Sequence, residues 1–145
     1  MGWPSHLALL ADACGRADRP EAGLAALEEA LATVAETGEH SYEAELHRLK
    51  GELLAQIARR GGTQRGGSEA RDCVRRAVDL AHRQGARSLE LRAALSLARL
   101  DGTRRRDAGA RRRLREVYAS FTEGFDSPDL RAARSLVEPL PSRTD

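Results

Sequence analysis

Residues 10–30 read LADACGRADRPEAGLAALEEA, and the placing of small residues in this stretch decides the fold. Leu10 and Ala11 form an apolar–small step, and Gly23, Leu27 and Ala30 follow as a small–large–small series at helical spacing. A Gly or Ala where two helices cross lets their backbones approach, and the neighbouring Leu fills the groove beside the crossing. The same series recurs twice: Gly51 with Ala70, Val74 and Ala77, and Leu97–Ala98 with Ala110, Leu114 and Val117. Lys50 before Gly51 and the large Val117 depart from the pattern.

The register repeats. Ala11 to Ala30 and Ala98 to Val117 both span 19 residues, and Ala30 to Gly51 and Ala77 to Ala98 both span 21. Gly51 to Ala77 spans 26 residues, an excess of seven that equals the length of the stretch Gly61–Gly67. The basic period is therefore 40 residues, against about 34 for the standard tetratricopeptide unit. A single helix pair cannot bury its own apolar stripe, so stacking supplies the missing partner. The expected fold is all-α: a tetratricopeptide-like right-handed α-solenoid of three helix pairs plus a terminal capping helix. It occupies residues 1–138, with 139–145 as a disordered tail.

Local signals place seven helices. The first is expected over Ser5–Ala17. Asp18, with Glu21 three residues on, suggests a capping box for a second helix that runs to Thr37, with Gly38 as a left-handed C-cap. Ser41 is the expected cap of a third helix reaching about Arg60. The four glycines of Gly61–Gly67 read as a loop. Ser68 and Ser88 are the expected caps of the fourth and fifth helices, with Gly85 between them and the fifth ending near Asp101 and Gly102. The sixth is expected from Asp107 to Gly124. Ser127 followed by Pro128 opens the seventh. Stripes such as Leu24–Leu27–Leu31–Val34 and Leu46–Leu49–Leu53–Ile57 support these helices, and Asp72/Arg76 and Asp79/Arg83 are spaced as exposed ion pairs.

Composition narrows the function. Aromatic residues make up 3% of the chain and charged residues 32%, with a net charge of +2. So mixed a surface argues against a dedicated nucleic-acid face. Lys50 is the only lysine, a bias that, with abundant Ala, fits a GC-rich bacterial genome. Cys14 and Cys73 form no CxxC and are expected to be buried, reduced thiols of a cytoplasmic protein. No apolar run approaches the roughly 18 residues of a membrane span. Leu7–Cys14 lacks the basic n-region of a lipoprotein signal and carries Asp12 just before the cysteine.

Several longer stretches resemble one family. LALLADA at 7–13, RPEAGLAAL at 19–27, EAELHRLKGELL at 43–54, QGARSLELRAALSLARL at 84–100, and Val117-Tyr118 with FTEGFDSPDL at 121–130 resemble the C-terminal tetratricopeptide-like region of large bacterial signalling proteins. In these, a class III adenylate or guanylate cyclase domain, or a DNA-binding domain, precedes a signal-transduction P-loop ATPase domain. The resemblance covers roughly residues 5 to 138 and departs at Gly61–Gly67 and at Arg104–Arg106. It implies a regulatory array that senses a ligand or partner and restrains upstream domains. The chain then acts as a non-catalytic interaction module. The alternative is a piece of a class III nucleotide cyclase or ATPase whose catalytic domains lie outside this chain.

Other motifs weigh less. GGTQRGGS at 61–68 is spaced like a phosphate loop, but Gly67 stands where the lysine is required and no strand precedes it. His40 and His47, with Glu43 and Glu45 between them, have no third ligand and read as surface histidines rather than a metal site. Glu28 and Glu29 point in different directions on a helix, and no nucleophile has a supporting base. The arginines at 104–106, 111–113 and 115 have no aromatic residues interleaved for stacking bases, so they read as a charged outer face or a contact to a neighbouring domain. No catalytic residue, cofactor or metal is expected.

The first helices of stacked pairs line a concave groove. Its polar positions, about one turn from the small residue, are Asp12, Arg16, Arg48, Glu52, Gln56, Arg92 and Arg99. Their mixed charge suits a protein or peptide partner, such as a P-loop ATPase or cyclase domain in cis. The last helix, through Leu130, Ala133, Leu136 and Val137, is expected to cover one end of the stack. The other end, near Trp3 and Leu7, is expected to be exposed in this chain taken by itself and to favour instability or self-association.

Overall fold

The computed structural model describes residues 3–62, 64–100 and 108–138. Among them are seven helices and no strand: α1 (Trp3–Arg16), α2 (Pro20–Thr37), α3 (Glu43–Gly61), α4 (Gln64–Arg83), α5 (Arg87–Leu100), α6 (Ala108–Ala119) and α7 (Pro128–Val137). Each helix packs against its neighbours in sequence. In addition α1 packs on α3, α3 on α5 and α5 on α7, while among the described residues no close backbone approach joins α2, α4 and α6 to one another. The odd-numbered helices thus form one continuous row, with the even-numbered helices set on its other side.

The small–large–small series lies at the crossings. Ala11, Leu27, Ala30, Val74, Ala77 and Leu114 are fully buried, and Ala70, Ala98, Ala110 and Val117 nearly so. Gly51 marks the closest approach. A methyl group there would stand 2.7 Å from the carbonyl oxygen of Ala70 and 2.4 Å from Val74 Cγ2 on α4. Backbone cannot move aside as a side-chain tip can, so only glycine fits. At Gly23 the added methyl would lie 3.1 Å from the Ala11 carbonyl oxygen.

Burial follows the neighbour. Leu97, on α5, belongs to a cluster with Val74, Ala77 and Val78 of α4 and Ala110 of α6, and is 6% exposed. Leu10 holds the corresponding place on α1 and is 52% exposed, and Leu9 beside it is 67% exposed. The open apolar end therefore centres on Leu9 and Leu10 rather than on Leu7, which is buried; the Trp3 side chain lies outside the described residues. At the opposite end, Leu130 and Ala133 of α7 are buried against α5 and α6, with Leu136 and Val137 half-buried alongside.

Several helix ends differ from expectation. Asp18 does not cap α2. It has φ +63° and closes α1 as a Schellman turn, with Asp18 N–H donating to the Gly15 carbonyl and Arg19 N–H to that of Cys14. Aspartate tolerates this left-handed conformation better than most residues. Arg19 takes the N-cap place of α2 with Pro20 behind it, and its side chain makes no capping bond. Ser41 is likewise displaced by Tyr42 at the start of α3. Ser88 lies inside α5.

Gly61–Gly67 is mostly not a loop. Gly62 turns the chain at φ +64°, and α4 is already helical from Gln64, so Gly66, Gly67 and Ser68 are helix residues. Each glycine costs a helix about 1 kcal/mol relative to alanine. The pairing of α3 with α4, the most extensive in the molecule, offsets that cost. α6 stops at Ala119, five residues before Gly124. Gly124 still makes a left-handed turn, at φ +77°, and Phe125 folds back so that its ring centroid lies 5.9 Å from that of Tyr118. Ser127 caps α7 as expected, its hydroxyl accepting from Leu130 N–H. Val34 accepts from Gly38 N–H, which ends α2 at the expected residue. The expected starts and ends at Asp101, Gly102 and Asp107, and the tail from Pro139, fall outside the described residues.

Candidate functional site

α1, α3 and α5 each turn one polar stripe to the same side of the row. Two adjoining hollows, of about 430 and 420 Å³, lie there. Asp12, Arg16, Glu52 and Arg99 border both; Gln56 borders the first, and Arg48 and Arg92 the second. The seven polar residues assigned to the groove from the sequence thus line one continuous surface. Leu49, Leu53 and Leu100 provide apolar floor in the first hollow.

The second hollow is built on an ion-pair network. Glu45 is only 4% exposed. Its carboxylate accepts from Arg48 Nε at 2.9 Å and Nη2 at 2.6 Å, and from Arg92 Nη1 at 3.2 Å. Arg92 Nε donates to Asp129 Oδ2 of α7 at 3.3 Å. Arg48 Nη1 donates to Glu52 Oε1 at 2.8 Å and to Ser96 Oγ at 3.3 Å, and Ser96 Oγ donates to Glu52 Oε1 at 2.7 Å. The network ties α3, α5 and α7 together across the groove wall. Burial alone would raise the pKa of Glu45, but the hydrogen bonds and charges of Arg48 and Arg92 outweigh it and hold the carboxyl below its usual range.

The first hollow is different. Asp12 pairs with Arg16 at 2.9 Å, and Glu52 is engaged by Arg48 and Ser96. Gln56 donates to the Gly15 carbonyl at 3.2 Å and to Asp18 Oδ1 at 3.0 Å. Arg59 and Arg99, both exposed, have no ion pair or hydrogen bond with any described residue.

Sequence reasoning missed Glu45, Arg59, Ser96 and Asp129. A signal for Glu45 was present: it precedes Arg48 by three residues and is separated from Arg92 by the same interval as Lys50 from Leu97. Glu45 and Arg92 therefore occupy equivalent places on consecutive inner helices. Asp129 carried no comparable signal.

The other motifs resolve individually. His40 Nδ1 lies 2.8 Å from Glu43 Oε2, and His47 Nε2 lies 3.5 Å from Glu43 Oε1. His47 is buried, not a surface residue as expected. Burial lowers its pKa, as do Arg76 and Lys50, against the opposing pull of Glu43. Among the described residues no group of three or more His, Cys, Asp or Glu is placed to hold a metal ion. The glycine-rich stretch contributes helix, not a loop of free N–H groups around an anion. Cys14 and Cys73 are free and half-buried rather than buried. Asp72 pairs with Arg75 at 3.8 Å instead of Arg76, and no ion pair joins Asp79 to Arg83. On α6, Arg112 pairs with Glu116 and Arg113 reaches the buried Glu90, while Arg111 and Arg115 are exposed; residues 104–106 fall outside the description. No described helix is long and apolar enough to cross a membrane.

Comparison with known proteins found no matching family model, no matching curated protein and no matching solved structure.

Proposed function

We propose that this chain is a non-catalytic protein-interaction and regulatory module, a tetratricopeptide-like α-solenoid whose inner row of helices receives a segment of a partner protein. The observation that carries this reading is the convergence of Asp12, Arg16, Arg48, Glu52, Gln56, Arg92 and Arg99, from three helices, on two connected hollows. The helix order supports the solenoid: a row of odd-numbered helices with even-numbered helices on its other side, and buried small residues at 11, 30, 51, 77 and 98. The network behind Arg48 and Arg92 fixes these side chains in advance, which reduces the ordering cost of binding. The sequence resemblance suggests the partner: a P-loop ATPase or nucleotide cyclase domain, in cis or in trans, within the cytoplasm.

Site-specific photo-crosslinking tests the reading. A crosslinker at position 56 or 99 is expected to trap a protein partner, and one at Glu28 on the exposed side of α2 is not. Equal trapping at all three positions, or trapping at 28 alone, would place the interaction elsewhere. Identification of the trapped protein as an ATPase or cyclase domain would support the finer assignment.

A further inference from the structure

Two guanidiniums unpaired among the described residues border the groove, Arg99 at both hollows and Arg59 at the first alone, and they point to a class of ligand. Every carboxylate lining either hollow is engaged: Asp12 by Arg16, Glu45 by Arg48 and Arg92, Glu52 by Arg48 and Ser96, and Asp129 by Arg92. The guanidiniums are not all engaged. Arg59 and Arg99 line the first hollow without a described partner, together with Leu49, Leu53 and Leu100, and Arg99 also lines the second.

We propose that the first hollow is the anchor site for an acidic peptide segment. A Glu or Asp side chain of the segment pairs with Arg59 and Arg99, and an adjacent apolar side chain rests on Leu49, Leu53 and Leu100. This deepens the groove reading above and rests on it. Planar guanidiniums suit carboxylates, because they present paired N–H donors in a fork that matches two oxygens. A phosphate backbone fits less well. Asp12 and Glu52 border the same hollow and oppose a continuous polyanion, no aromatic side chain lines it for base stacking, and the apolar floor contributes nothing to phosphate. A volume of about 430 Å³ admits side chains of a single segment.

The test uses the full chain and fluorescence anisotropy with three labelled probes: a nine-residue peptide alternating Glu and Leu, the same peptide with Gln for Glu, and a single-stranded oligonucleotide of matched length. The Glu peptide is expected to bind at least about tenfold more tightly than the Gln peptide, as befits loss of charge-assisted hydrogen bonds, and to weaken as salt rises. The double variant Arg59→Gln/Arg99→Gln should bind the Glu peptide no better than the Gln peptide. Both residues are exposed and unpartnered, so its circular dichroism and melting should match the wild type. Equal binding of the Glu and Gln peptides, lost on blocking the groove, would overturn the acidic specificity while leaving the groove as a protein-docking surface. No binding of either peptide, with crosslinks outside the groove, would overturn both. Tighter binding of the oligonucleotide than of the Glu peptide would replace the proposal with nucleic-acid recognition.

Discussion

Leu10 and Leu97 hold the same place on the first helices of their respective pairs, one residue before a small crossing residue. Leu97 is enclosed by α4 and α6, whereas Leu10 is half exposed. The residue type and the helix are alike; only the neighbour differs. α5 has the second helix of the preceding pair to pack on, and α1 shows the same face to solvent. In stacked repeats, stability is a sum of contributions within pairs and between neighbours, and these two leucines test whether the second kind operates here.

The largest expected effect sharpens this contrast. Leu97→Ala should cost about 2–5 kcal/mol, the range for buried leucine truncations, while Leu10→Ala should change stability by no more than about 0.5 kcal/mol. Urea titration of the two variants measures both, and similar losses would break the comparison. Gly51→Ala should follow at about 1–3 kcal/mol or more, because the added methyl meets the Ala70 carbonyl. The reverse change at the equivalent place, Ala98→Gly, should cost only about 1 kcal/mol through helix propensity. Thermal melts of the pair test whether the close crossing at Gly51 is specific to the α3–α4 pair.

The third prediction concerns pH, and its groups lie on α3. His47 has a pKa below its ordinary value of 6.5 in the folded chain. The unfolded chain therefore takes up the proton first, and stability falls as pH drops from 6.5 toward the folded value. Glu45 is depressed below its ordinary 4.5, so its stabilising contribution is complete above 4.5 and is lost as pH falls through the folded value. Melting temperature should decline in two windows, and His47→Gln should remove the upper one. A single decline confined to pH below 4.5 in the wild type would contradict the buried role of His47. The smallest effect belongs to the covered end: Ser127→Ala should cost about 1 kcal/mol through the lost cap on Leu130 N–H. It should leave hydrogen exchange in α1 unchanged.

Periodic features of the sequence were the legible ones. The small residues at 11, 30, 51, 77 and 98 are all buried, as their recurrence at helical spacing predicts. Gly38 and Ser127 read correctly because their capping bonds are local. Asp18 and Ser41 misled because capping residues are defined by backbone conformation, which several residue types can adopt. His47 was misplaced as a surface group because its burial depends on which helix lies across from it. The spacing placed the seven polar residues on one face, but the division into paired and unpaired charges was not legible. That division depends on pairs such as Arg92 with Asp129, which are far apart in the chain.

The seven extra residues of the middle pair have a geometric consequence. α3 continues from Gly51 to Gly61, whereas α1 stops at Arg16 soon after Ala11, and α4 likewise starts further ahead of Ala77 than α2 does ahead of Ala30. The extension is unequal: α3 runs five residues further past Gly51 than α1 does past Ala11, and α4 starts three residues further ahead of Ala77 than α2 does ahead of Ala30. The middle hairpin is therefore longer than the first, and more so in its first arm than in its second.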